Sequence, residues 1–117
     1  MKTLTAAGLL YVMSFAVLGA DGNTIIGYIS DTKCAMSSSK AKTAAEWIKP
    51  DAFERCVKDC VKGGSEAVFV TEDNRILKFD TTSAATIAPF LGNKVKVTGS
   101  VVGNTITVAS ITALKLK

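Results

Sequence analysis

Histidine is missing from this sequence altogether, and aromatic side chains are few: five phenylalanines, two tyrosines and one tryptophan. Without histidine there is no Ser-His-Asp or Cys-His nucleophile system, and no imidazole to hold a metal. No glycine loop is spaced to cradle a phosphate; Gly63-Gly64 closes an amphipathic run and reads as a helix stop. The carboxylates from Asp31 to Asp80 show no spacing that pairs two of them for acid–base work. Charge is not concentrated either. The formal net charge is +4, but Lys33, Lys40, Lys58, Lys78, Lys94 and Lys115 are scattered along the chain, whereas a nucleic-acid site needs basic residues focused on one face. These absences favour a non-enzymatic protein, call for no cofactor and give no reason to expect a nucleic-acid partner.

What is present begins with an address. Lys2 precedes an almost unbroken apolar run from Leu4 to Leu18, and Gly19-Ala20 offers a small-residue exit before Asp21. A positive end, an apolar run and a small-residue site describe a secretory signal peptide. Residues 1–20 are therefore expected to be removed, with the cut after Ala20 or Gly19. Residues 21–117 form one domain, periplasmic or secreted, with no membrane span after cleavage.

The pattern of that domain is mostly β. Thr24 to Ser30 is β-branched and aromatic and predicts a first strand. Asp31 to Lys42 is small and polar and predicts a loop that carries Cys34. Thr43 and Glu46 have capping-box spacing. From Asp51 to Lys62, Ala52, Phe53, Cys56, Val57, Cys60 and Val61 make one apolar stripe, with charged residues opposite. This predicts a helix over residues 51–62 with both of its cysteines facing inward. Ala67 to Thr71 and Ile76 to Phe79 predict a hairpin, and Thr81 to Leu91 a connection. Lys94 to Val101 alternates strictly, with Val95, Val97 and Val101 on one face, and Gly103-Asn104 turns it into a partner strand from Thr105 to Leu114. The apolar set of that partner changes parity between Val108 and Ile111, which predicts a β-bulge. The expected fold is mainly β with one helix, a five-stranded OB-like small barrel. In such a barrel Phe69 and Phe79 are expected to pack as core.

The stretches Gly92 to Gly99 and Gly103 to Val108, together with Gly27-Tyr28-Ile29-Ser30-Asp31 leading to Cys34 and the run Cys-Val-Lys-Asp-Cys-Val-Lys-Gly-Gly from Cys56, resemble a group of small secreted bacterial OB-fold-like proteins. The resemblance spans nearly all of residues 21–117. Members of that group often place a histidine shortly after the first cysteine, where this chain has Ala35-Met36-Ser37. That departure puts in doubt any metal role that the resemblance would carry over.

Chemistry rests on three cysteines. In an oxidising compartment a disulfide is the default. Cys56 and Cys60, one helical turn apart, have Cβ atoms about 5–6 Å apart, too far for the ~3.5–4.5 Å of a disulfide. Cys34 is therefore expected to bond to Cys60, with Cys56 as the alternative, and one thiol is left over. The functional expectation is an exported binding domain, non-enzymatic, for a small ligand, a protein or an envelope partner. The alternative is a thiol-based redox or metal-binding protein using Cys34, Cys56 and Cys60. A closed metal site would then draw its fourth ligand from Asp31, Met36 or Asp59.

Overall fold

The computed structural model describes residues 23–115; the expected signal peptide lies outside them. Five strands carry the fold: β1 (Asn23–Asp31), β2 (Ala67–Thr71), β3 (Ile76–Phe79), β4 (Lys94–Val102) and β5 (Thr105–Leu114). They are hydrogen-bonded in a ring in the order β1–β2–β3–β5–β4, and β4 returns to β1. All contacts are antiparallel except the short one between β3 and β5, where Phe79 pairs with Ile106 in parallel.

The expectation of a single helix needs correction. Among the described residues there are three α-helices, α1 (Thr32–Ser37), α2 (Pro50–Lys62) and α3 (Ala84–Ile87), with 3-10 turns flanking α3 and another at Ala44–Glu46. The polar segment read as a loop after β1 begins with α1. Asp31 leaves the strand extended and its carboxylate accepts from the Cys34 amide, capping the helix. Thr32 then bonds to the Glu66 carbonyl through both its amide and its hydroxyl. A local cap and a distant stitch together fold a segment that has no apolar periodicity of its own. The capping box is not made. Glu46 reaches back to the Lys42 amide, and Thr43 makes no side-chain cap.

Helix α2 starts at Pro50, whose missing N–H costs nothing in a first turn. Asp51 in its first turn and Lys62 in its last complement the helix dipole. Gly64, at φ +108°, takes the chain out of the helix in a conformation that a Cβ would oppose. The helix buries Phe53 and Val57 against Tyr28, Val68 and Val70. Ile29, Phe69, Leu77, Val95, Val97 and Ile106 fill the opposite face of the sheet, inside the ring. Strands β1 and β2 are thus apolar on both faces, which is why Val68-Phe69-Val70 runs unbroken. Phe69 is fully buried, with Phe79 edge-on to it at 6.2 Å between ring centroids, so both aromatics pack as core.

The β4–β5 hairpin forms as its alternation requires. Val95 and Val97 are inside, Lys96 is outside, and Gly103 turns the chain at φ +61°. The parity change is a register shift: Thr98 pairs with Ser110 but Gly99 with Val108, leaving Ala109 as the extra residue. A buried Ser83 hydroxyl accepts from the Val108 amide there, so α3 and the turn before it hold the bulge in place.

Candidate metal centre

The end of β1 and the middle of α2 meet at α1. Cys34 sits in α1, half-buried, and Cys56 and Cys60 sit one turn apart on α2. Their inward orientation needs correction: Cys56 is exposed and Cys60 half-buried. The apolar stripe of α2 is two columns wide. Phe53 and Val57 take the sheet because a bulky aromatic gains most from burial, which turns the cysteine column sideways to face α1.

All three sulfur atoms lie within 4.8 Å of one another. Cys34 Sγ and Cys56 Sγ are 3.4 Å apart. A disulfide needs about 2.05 Å, so the three cysteines, all free, are not at disulfide distance. Once Thr32–Ser37 winds into a helix, Cys34 is carried beside α2, within 4.8 Å of both of its cysteine sulfurs.

Of the expected fourth ligands, Met36 is 59% exposed and Asp59 is exposed. Asp31 is fully buried. Its Oδ2 accepts from the Cys34 amide at 3.2 Å and from Ser65 Oγ at 2.8 Å, while Oδ1 has no hydrogen-bond partner. Burial pushes the Cys34 thiol far up, and the Asp31 carboxylate and the Cys56 thiol beside it act in the same direction. Loss of solvent also raises Cys60, followed by the charge of Asp31. A thiol in such surroundings holds its proton unless a cation takes its place.

Two further residues escaped the sequence reading. Ser65, in the turn after α2, donates to Asp31 and accepts from the Lys33 amide. Asn74, in the β2–β3 turn at φ +66°, donates to the carbonyls of Ser38 (3.0 Å) and Ala41 (2.9 Å) and accepts from Trp47 Nε1 at 2.8 Å. It ties down the segment after α1. A cleft of about 220 Å³ opens there over Cys34 and Cys56, walled by Trp47, Phe53 and Ala52, and gives solutes a path to the sulfurs. Nothing in a hairpin turn signals partners more than thirty residues away, although asparagine is among the few residues suited to a positive φ. Compared with known proteins, the chain matches no family model, no curated protein and no solved structure.

Proposed function

We propose that this protein is an exported, non-enzymatic OB-like domain that binds a thiophilic metal ion through Cys34, Cys56 and Cys60. The observation that carries the reading is the mutual approach of the three sulfurs to within 4.8 Å. Metal–sulfur bonds of ~2.3 Å put the sulfurs of a tetrahedral or trigonal site about 3.8–4.0 Å apart, so small side-chain rotations complete the ligand set. Soft thiolates select zinc, copper(I) and similar ions. The barrel reading is supported by the strand order β1–β2–β3–β5–β4 with a parallel β3–β5 contact, and export by the leader pattern of residues 1–20.

A redox role for the same thiols is less well supported. Exchange chemistry needs a thiolate at ambient pH, and the surroundings of Cys34 favour the protonated thiol.

The test is thiol and metal counting on reduced protein, held without oxygen and titrated with cadmium or copper(I). One ion per chain, a thiolate charge-transfer band and protection of all three cysteines from alkylation are expected. Equal alkylation of the three with and without metal would defeat the proposal. So would exported protein that carries a Cys34–Cys56 disulfide and takes up no metal once reduced.

A further inference from the structure

Three thiolates leave a tetrahedral dication one donor short. Met36 and Asp59 are exposed to solvent. Asp31 differs from both. It is fully buried, it stands three residues before Cys34, and the bond from the Cys34 amide fixes its carboxylate beneath the turn that carries the thiol. One oxygen, Oδ2, is used by that amide and by Ser65 Oγ. The other, Oδ1, is buried without a partner. A buried carboxylate oxygen with no donor is costly and rare in a folded protein, and a cation beside it removes the cost.

We propose that Asp31, through Oδ1, is the fourth donor of this centre, making it a Cys₃Asp site for a divalent d10 cation, zinc above copper(I). The inference rests on the three-cysteine reading of the site. Two arguments select the valence. Three thiolates and a carboxylate bring four negative formal charges together in a partly desolvated place, and a dication neutralises twice what a monocation does. Carboxylate oxygen is a hard donor that zinc accepts readily, whereas copper(I) is satisfied by soft sulfur alone.

The experiment compares zinc and copper(I) affinities of the reduced full chain with those of Asp31→Asn and Asp31→Ser, each by competition against a chromophoric chelator. Both variants keep a side-chain oxygen able to cap the Cys34 amide. Both should weaken zinc by at least about tenfold, the lower bound of what even an outer-sphere partner contributes, and move copper(I) by less than about threefold. Cobalt(II) bound to the variants should show altered visible bands. X-ray absorption on the unaltered zinc form should find three sulfurs and one light atom. Zinc affinity within about threefold of the parent in both variants would overturn the inference, as would an all-sulfur shell. Parallel loss of zinc and copper(I) would overturn it as well, because it marks damage to α1 in place of a lost donor. If the parent chain binds no thiophilic ion, the underlying reading fails first, and that result is distinct from the others.

Discussion

Replacing Asn74 separates hydrogen bonding from backbone strain at the one turn that anchors the segment following α1. The side chain makes three hydrogen bonds, to Ser38, Ala41 and Trp47. At a net value of about 1 kcal/mol each, their loss costs roughly 3 kcal/mol. The backbone at φ +66° adds a second cost that depends on the replacement. Alanine there is worse than a residue at ease in the left-handed region by about 1–2 kcal/mol. Glycine is at ease there, but its floppier unfolded chain returns about 0.4–1 kcal/mol of that advantage. Asn74→Gly should therefore lose about 3 kcal/mol and Asn74→Ala about 1 kcal/mol more, out of a total that for domains of this class runs ~5–15 kcal/mol. Asn74→Asp keeps the acceptor for Trp47 but sets a carboxylate oxygen against two carbonyls, so it should be no better than glycine. Urea unfolding followed by the fluorescence of Trp47, which abuts Phe53 at 6.0 Å between ring centroids, reads all three. A loss below about 1 kcal/mol for the glycine variant would mean that water replaces these bonds without cost. Equal losses for glycine and alanine would refute the strain argument.

Gly99 lies at the register shift, where an added Cβ would run into the Thr107 carbonyl; Gly99→Ala should cost about 1–3 kcal/mol or more in thermal unfolding, and an unchanged melting temperature would show that the bulge can slide. Asp80 is held below the ordinary carboxylate value by the hydroxyls of Ser83 and Thr82. Folding therefore favours its ionised form, and the contribution is full above the unfolded value of about 3.9 and lost as pH falls through the lower folded value. Asp80→Asn should accordingly be less stable than the parent at neutral pH, with the difference closing as pH falls below the unfolded value and through the lower folded one in acid titrations of the unfolding midpoint. Alkylation of the metal-free protein near neutral pH should label exposed Cys56 first and Cys34 last, with the Cys34 rate still climbing at alkaline pH because its thiol is pushed up; mass-spectrometric time courses that put Cys34 first would contradict the burial of that thiol.

What the sequence disclosed and what it hid divide along one physical line. Strand alternation in Lys94 to Val102 is local, so the inside position of Val95 and Val97 was legible, and so was the bulge, since one extra residue flips parity wherever it falls. Helix α2 was legible from periodicity, but its orientation was not. Phe53 and Val57 form one column and Cys56 and Cys60 another, and periodicity alone counts both as one apolar stripe, although the greater gain from burying Phe53 marks the column that the sheet takes. Helix α1 was hidden because Asp31, Glu66 and Ser65 initiate it together, and two of these lie more than thirty residues from it in sequence. The site inherits this split. Its three cysteines and the candidacy of Asp31 could be read from the chain, whereas the burial that distinguishes Asp31 from Met36 and Asp59 could not.

The same geometry makes oxidation and metal binding rival uses of one staple. Closing a Cys34–Cys56 disulfide requires the sulfurs to approach from 3.4 Å to about 2.05 Å, a movement that side-chain rotation and a slight shift of α1 can supply. The resulting loop of about 23 residues would gain roughly 3 kcal/mol on chain-entropy grounds. A metal ion ties the same two helices together without that closure and also engages Cys60 and the region of Asp31. Either link removes freedom from the segment between α1 and α2, so the fold is served by both. Their electrostatic consequences differ. The disulfide leaves Cys60 unlinked and the Asp31 Oδ1 still unpartnered, whereas a dication at the proposed site would meet the charge of all four groups at once. On the proposed metal-binding reading, reducing or metal-replete conditions favour the second arrangement over the first, and the balance between thiol oxidant and free metal would set which staple forms.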